Sequence, residues 1–240
     1  MIRLSDFDAL TFDCYGTLID WESGILAVLK PWTTRHGVRA DDETLLMAFG
    51  KAETRRESAH PKALYPEILA LVLHDLGAEF GAPVGEAEAT AFGASVKDWP
   101  AFADSATALA YLKEHYKLIV VSNVDRASFA QSNKKLGVTF DAIVTAQDTG
   151  AYKPALHHFH LAFERLSEMG VRKGKLLHVA QSLFHDHVPA KQLGLTTAWI
   201  NRRAGRGGDG ATPAAAPVKP DLEVPSMAAF VELHRRQTAG

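Results

Sequence analysis

Five short runs of apolar residues recur along the chain, and each is bounded by polar or turn-forming residues. The runs are ALTF, KLIVVS, FDAIVT, KLLHVA and TTAWI, which begin near residues 9, 117, 140, 175 and 196. They are rich in β-branched residues and are nearly continuous rather than alternating, a pattern typical of buried parallel strands. We therefore expect five strands of a parallel sheet. The later segment PDLEVPSMAAFVELH predicts a last edge strand and a closing helix.

Segments with helical periodicity lie between these runs. Residues 104–115 open on Asp104, which can cap a helix, and residues 155–170 follow Pro154 and end at Gly170. Strands that alternate with helices predict an α/β fold, with a doubly wound parallel sheet covered by helices on both faces.

Residues 20–99 differ from the rest, because no run in them resembles a strand. Ile25, Leu29 and Trp32 have the spacing of one helix face, and three further stretches also favour helices. We expect roughly four helices inserted after the first strand, at the edge of the sheet where ligands bind in open α/β folds.

The predicted organisation is therefore an α/β core domain of residues 1–19 and 100–240, with a helical cap domain of residues 20–99 inserted after strand one. Residues 204–220 are rich in Gly, Pro and Ala. This composition predicts a surface loop or a partly disordered segment.

Composition and charge narrow the range of partners and compartments. The 240 residues are 47% apolar and 22% charged with a net charge of −2, so neither nucleic acid nor an anionic membrane is an expected partner. Cys14 is the single cysteine, and the N-terminal sequence lacks the features of a signal peptide. We expect a soluble cytoplasmic protein. A homodimer through the apolar cap helices remains open.

Polar residues follow four of the predicted strands. They are Asp13 after the first, Ser122 and Asn123 after the second, Lys153 shortly after the third, and Gln181, Ser182 and Asp186 after the fourth. The carboxyl ends of parallel strands meet at one edge, so these side chains should share a cleft. A buried carboxylate needs a counter-ion, which Lys153 can supply, and Thr17 can donate a hydrogen bond. Asp13 is then a candidate nucleophile. Ser122, Asn123 or Asp186 could instead cap the helices that follow them.

The segments DCYGTL, SN and YKP, followed by the late acid Asp186, resemble the four motifs of the haloacid dehalogenase superfamily in order and spacing. The resemblance covers residues 7–19 and 100–203, and the helical insertion matches that family's cap in position. It implies a Rossmann-like core in which Asp13 is the covalent nucleophile. Phosphatase members of the family carry a second Asp two residues later and a fourth-motif acid that helps to bind Mg²⁺.

The chain departs from the phosphatase pattern at both places. Tyr15 stands two residues after Asp13, and Gln181 stands where phosphatases usually have an acid. Mg²⁺ sites usually contain several oxygen ligands with at least two carboxylates, and an alkoxide leaving group needs a proton that a halide does not need. The form D-x-Y-G-T-L, with WINR at 199–202, resembles the L-2-haloacid dehalogenase branch. The resemblance therefore implies hydrolysis of short 2-halo acids to 2-hydroxy acids and halide, with no metal and no other cofactor.

The resemblance also implies roles for the remaining site residues. Ser122 and the backbone N–H groups of Cys14 and Tyr15 would bind the substrate carboxylate, with Gln181 and Ser182 nearby. Asn123 would contact the halide or the carboxylate, and Asp186 would activate water. That branch holds the halide with an arginine from the cap. In this chain Arg55 and Arg56 lie nearest to the matching place in the sequence, and Arg56 is the candidate.

Two other functions remain open at this point. One is a Mg²⁺-dependent phosphatase of the same superfamily that acts on a small phosphate ester. The other is a non-catalytic protein whose cleft binds a small carboxylate.

Overall fold

A six-stranded sheet, in which each neighbouring pair of strands is parallel, forms the centre of the molecule. The structure is a computed structural model that describes residues 2–239. The strands are β1 (Ala9–Phe12), β2 (Lys117–Ser122), β3 (Ala142–Thr145), β4 (Leu176–Ala180), β5 (Thr196–Ile200) and β6 (Leu222–Val224). Their order across the sheet is β3-β2-β1-β4-β5-β6, which confirms the predicted doubly wound fold class.

Helices connect the strands, and most of them lie close to the predicted positions. The α-helices are α1 (Trp21–His36), α2 (Asp42–Ala59), α3 (Tyr65–Phe80), α4 (Glu86–Gly93), α5 (Ser105–Lys113), α6 (Arg126–Leu136), α7 (Ala146–Thr149), α8 (His157–Glu168), α9 (Val188–Gln192) and α10 (Met227–Thr238). Within residues 2–239, no helix has both the length and the apolar character needed to cross a membrane.

Helices α1 to α4 occupy the predicted insertion, followed by a short 3₁₀ helix, Ala94–Asp98. Their apolar faces join the same hydrophobic cluster as Phe12 of β1, with Trp32, Phe49 and Leu69 as large members. The close packing is visible at Gly24 of α1, where an added Cβ would lie 2.3 Å from the Trp99 ring. The sheet and the helical insertion therefore share a continuous core, and their division into two domains stays a prediction.

The direction of strand order reverses between β1 and β4, which are direct neighbours. Phe12 of β1 is level with Val120 of β2 and with Val179 of β4. The residues after these three strands therefore emerge at one edge of the sheet. In open α/β folds, this reversal point opens the crevice in which ligands bind.

The Gly-, Pro- and Ala-rich segment after β5 is a loop, as predicted, and its residues 204–209 are exposed, but residues 210 and 211 are buried against the helical insertion. Ala211 is fully buried, and a Cβ added to Gly50 of α2 would lie 2.1 Å from its carbonyl oxygen. Arg203 at the start of the segment donates to Glu22 of α1 and Glu43 of α2, each at 2.7 Å. We call residues 203–212 the strap, because they run from the sheet across these two helices.

Candidate active site

Asp13 follows β1 directly and is only 6% exposed. Its Oδ1 accepts a hydrogen bond from Lys153 Nζ at 2.9 Å, and its Oδ2 accepts one from the Thr17 hydroxyl at 2.6 Å. The Thr17 hydroxyl oxygen in turn accepts from the backbone N–H of Gln181 at 2.9 Å. The carboxylate is therefore oriented through both oxygens, as a nucleophile in a cleft must be.

Lys153 is the buried cation at the centre of the site. Besides Asp13, its Nζ donates to Asp186 Oδ1 at 2.7 Å and to the Val121 carbonyl oxygen at 2.9 Å. Its backbone N–H donates to Asn123 Oδ1 at 2.7 Å, and its carbonyl oxygen accepts from Asn123 Nδ2 at 3.2 Å. Asn123 thus fixes the backbone of Lys153, and all three ammonium protons have acceptors.

Asp186 lies in a single π-helical turn, Leu183–His187, and is fully buried. Its Oδ1 also contacts His178 Nε2 at 3.1 Å, and His178 Nδ1 contacts the Thr11 hydroxyl at 2.9 Å. Thr11 and His178 face each other across β1 and β4. Asp186 Oδ2 has no hydrogen-bond partner among the described residues, so it has acceptor capacity left for a water molecule or a ligand.

The shared ammonium affects the two aspartates unequally. Burial opposes ionisation of Asp186, but Lys153 and His178 more than offset it, so the pKa of Asp186 lies below its usual range. The pKa of Asp13 is raised, because burial and the nearby Asp186 carboxylate raise it by more than Lys153 and Thr17 lower it. Burial would lower the pKa of Lys153, yet Asp13 and Asp186 raise it above its ordinary value. Lys153 therefore stays protonated at neutral pH.

These groups line a small cavity between the sheet edge and the helical insertion. The lining residues are Asp13, Tyr15, Trp21, Glu53, Glu57, Tyr65, Asn123, Val124, Lys153, Gln181, Ser182, His185, Asp186 and Thr212. Of the predicted site residues, seven are in this set, namely Asp13, Tyr15, Asn123, Lys153, Gln181, Ser182 and Asp186.

Three predicted site residues lie beside the cavity rather than on its wall. Thr17 does not line the cavity, but its hydroxyl donates to Asp13, as described above. Ser122 is fully buried, and its hydroxyl has no hydrogen-bond partner among residues 2–239. The Cys14 side chain is fully buried, and burial raises the pKa of its thiol well above the ordinary value. The backbone N–H groups of Cys14 and Tyr15 donate to no other described residue, which leaves both available to a ligand.

The capping alternatives are not what the structure shows. Asp125 caps α6 by accepting from the Ser128 backbone N–H at 2.9 Å, so neither Ser122 nor Asn123 has that role. Ser182 caps the turn that contains Asp186, because its hydroxyl accepts from the His185 backbone N–H at 2.9 Å. Asp186 is thereby left free to face Lys153.

The family model of haloacid dehalogenase-like hydrolases matches residues 7–182, which is most of the chain and includes all but the last of these strand-end motifs. The chain belongs to the haloacid dehalogenase-like hydrolases. A curated (S)-2-haloacid dehalogenase from Pseudomonas putida is 31% identical over 107 residues, which cover 43% of this chain and 45% of the relative. The chain thus spans about half the length of the curated relative that it matches.

Solved structures show the same fold at lower identity. The L-2-haloacid dehalogenase from Xanthobacter autotrophicus superposes with a TM-score of 0.75 at 21% identity, over 95% of this chain and 98% of that one. A HAD-family protein from Bacillus subtilis, solved with magnesium, superposes with a TM-score of 0.75 at 17% identity, over 98% of this chain and all of that one. Similarity of fold therefore does not distinguish a metal-independent dehalogenase from a magnesium-dependent hydrolase. Only the residues of the site can do so.

In this haloacid dehalogenase-like hydrolase, the donor set does not fit Mg²⁺. The Oδ1 atoms of Asp13 and Asp186 both face the Lys153 ammonium, which lies between them. Gln181 offers a neutral amide where a further carboxylate would be needed. Within residues 2–239, no three His, Cys, Asp or Glu side chains are arranged to hold a metal ion.

The structure does not bring Arg56 to the cavity. Its Nε donates to Asp75 Oδ2 of α3 at 2.7 Å, and its Nη2 pairs with the other oxygen of the same carboxylate. Arg55 pairs with Asp75 as well. Both arginines are thus held on the side of α2 that faces α3, and neither contacts the site.

The cap residues that do line the cavity were missed from the sequence. Glu53 and Glu57 are buried on α2, and Tyr65 is buried on α3. A signal for the two glutamates was present in the helical phase. The buried positions Leu46 and Gly50 of α2 continue at intervals of three and four residues to Glu53 and Glu57.

Proposed function

We propose that this hydrolase removes halide from short 2-halo acids through an ester formed on Asp13, without a metal ion. The observation that carries the proposal is the position of the Lys153 ammonium between Asp13 and Asp186. The ammonium keeps Asp13 oriented for attack and already neutralises the Oδ1 atoms of both aspartates. Tyr15 supplies no acid for an alkoxide leaving group, because burial raises the pKa of its phenol well above the ordinary value.

In the first step, an Asp13 oxygen attacks C2 of the substrate and the carbon–halogen bond breaks, with its electron pair leaving on the halide. The free backbone N–H groups of Cys14 and Tyr15 are the donors assigned to the substrate carboxylate. We assign the departing halide to His185, which lines the cavity and whose Nε2 has no hydrogen-bond partner among residues 2–239.

In the second step, water attacks the side-chain carbonyl carbon of the Asp13 ester. Asp186 Oδ2 is the assigned base, because it lies in the site and has no hydrogen-bond partner among residues 2–239. The bond between that carbon and the substrate oxygen breaks, and the leaving oxygen takes the proton that Asp186 removed from water. The 2-hydroxy acid therefore leaves with an oxygen that came from Asp13. Water then supplies the new carboxylate oxygen of Asp13, and the enzyme is regenerated.

The direct test is halide release from 2-chloropropanoate by the parent protein and by Asp13→Asn. The account expects measurable release by the parent and a loss of at least about a thousandfold in the variant, because an amide is a far weaker nucleophile. Asp8→Asn is the matched control, since Asp8 is exposed and its side chain makes no contact with the site. Equal release by Asp13→Asn would contradict the proposal. Release of phosphate from a small ester only with added Mg²⁺ would favour the phosphatase instead.

A further inference from the structure

Two carboxyl groups face the cavity from the side opposite the sheet. Glu53 and Glu57 lie four residues apart on α2, so they project from consecutive turns of one helix face. They are 3% and 5% exposed, and both line the cavity that contains Asp13. Neither has a role in the displacement described above.

Neighbouring groups present hydrogen-bond donors to both glutamates, so the pair is arranged as acceptors. The Tyr65 hydroxyl donates to Glu53 Oε1 at 2.6 Å, while Glu53 Oε2 accepts from no other described residue. Glu57 accepts only from Asn123 Nδ2, at 3.4 and 3.3 Å to its two oxygens, which are long contacts. A carboxylate has about four acceptor sites, so most of this capacity is unused.

The cavity also lacks positive charge. Its lining contains four carboxyl groups, those of Asp13, Glu53, Glu57 and Asp186, against the single ammonium of Lys153. That ammonium already donates its three hydrogen bonds to Asp13, Asp186 and a backbone carbonyl oxygen. His185 lines the cavity as well, but burial lowers its pKa to about 4 and leaves it neutral at pH 7.

We propose that Glu53 and Glu57 form a subsite for a protonated amine carried by the substrate. This inference rests on the proposed function and narrows its substrate class to 2-halo acids that bear an amino group a few bonds from C2. The carboxylate would lie at the Cys14 and Tyr15 amides and the ammonium at the glutamate pair. Trp21 and Tyr65 also line this cavity, and aromatic rings of these types can stabilise an ammonium group.

Without a bound ammonium the pair is largely protonated at neutral pH, and it ionises when an ammonium binds. Burial raises the pKa of Glu53 to about 8, and burial together with Glu53 raises the pKa of Glu57 well above its ordinary value. A bound ammonium supplies the compensating charge that the cavity lacks, and it therefore favours the ionised pair.

Binding of two stable product analogues tests the subsite without any turnover. Calorimetry on the parent protein compares 4-amino-2-hydroxybutanoate with 2-hydroxybutanoate, which has the same carbon chain but no amine. We expect the amino compound to bind at least about tenfold more tightly, as a buried charge-assisted hydrogen bond requires. The preference should fall to about onefold to threefold in Glu53→Gln and Glu57→Gln. It should persist in Glu79→Gln, since Glu79 is exposed on α3.

Equal or tighter binding of 2-hydroxybutanoate to the parent protein overturns the subsite, and this comparison does not depend on how well any variant folds. Halide release from 2-chloropropanoate, measured on the same preparation, separates the two proposals. Release without an amine preference would leave dehalogenation standing and show that the subsite is wrong. An amine preference with no halide release from either 2-chloropropanoate or 4-amino-2-chlorobutanoate would support the subsite and contradict dehalogenation.

Discussion

At the scale of single residues, the site depends on Lys153, a buried cation shared by two buried aspartates. The sequence predicted this group, because each of the three residues follows a buried apolar run and such runs end at one edge of a parallel sheet. His178 was not predicted. A histidine inside an apolar run looks like a core residue, and its contact with Asp186 depends on the turn after β4.

Arg56, Glu53 and Glu57 show a second limit of prediction from the sequence at this scale. Residue type favoured the arginine as the group to bind an anion, whereas the helix phase placed Glu53 and Glu57 on the buried face. Asp75, nineteen residues beyond Arg56, holds that arginine away from the cavity. A pairing between two helices cannot be read from either helix alone.

Replacing Lys153 with methionine should destabilise the protein strongly. The change leaves Asp13 and Asp186 buried without their counter-ion, which costs about 3–5 kcal/mol of the free energy of unfolding at pH 7. The loss should be smaller at pH 4.5, where the aspartates can take up protons instead. Urea unfolding at both pH values measures it, with Lys62→Met as the control because Lys62 is exposed. Equal stability of Lys153→Met and the parent at pH 7 would show that the ion pairs contribute nothing.

At the scale of elements, the strands, the helices α1 to α4 and the closing helix were all predictable from periodicity. The loop character of the strap was predicted too, but its contacts with α1 and α2 were not, because a Gly- and Ala-rich composition does not indicate them. The strap is held by residues that are distant from it in sequence. Glu22 and Glu43 bind Arg203, and Gly50 leaves room for Ala211. Thr212 at the end of the strap reaches the cavity and donates to Gln181 Oε1 at 3.2 Å.

Gly50→Ala should loosen the strap. The added Cβ would overlap the backbone carbonyl of Ala211, which a rotamer change cannot relieve, so the strap must move away from α2. We expect trypsin to cut after the exposed Arg206 several-fold faster than in the parent, because proteolysis follows local opening. Gly174→Ala is the control, since a Cβ there would meet no atom within 4 Å. An unchanged rate at Arg206 would mean that Gly50 does not control the strap.

At the scale of the whole molecule, buried titratable groups set how stability depends on pH. Burial lowers the pKa of His158 to about 3 and the pKa values of His185 and His187 to about 4. Between about pH 6.5 and 4 the unfolded chain binds protons at these imidazoles that the folded chain does not bind. These groups therefore make the free energy of unfolding fall as the pH falls.

Glu53 acts in the opposite direction. Its pKa in the folded chain is about 8, so between about pH 4.5 and 8 the folded chain keeps a proton that the unfolded chain has lost. From pH 6.5 to 8, Glu53 therefore contributes a decrease in the free energy of unfolding as the pH rises, while the histidines contribute an increase that fades as the last imidazole protons leave the unfolded chain. Glu53→Gln should reduce this decrease by up to about 1.4 kcal/mol per pH unit. Urea unfolding at pH 6.5 and 8 checks it, with Glu79→Gln as the control, and an identical decrease in Glu53→Gln would contradict it.

The central claim is that Asp13 bonds to substrate carbon and is then regenerated by water. Turnover of 2-chloropropanoate in ¹⁸O-labelled water, followed by mass spectrometry of the peptide that contains Asp13, tests it most directly. The account predicts that ¹⁸O enters the Asp13 carboxylate during turnover and reaches the product in later cycles. Halide release over many turnovers with no label in that peptide would contradict the account.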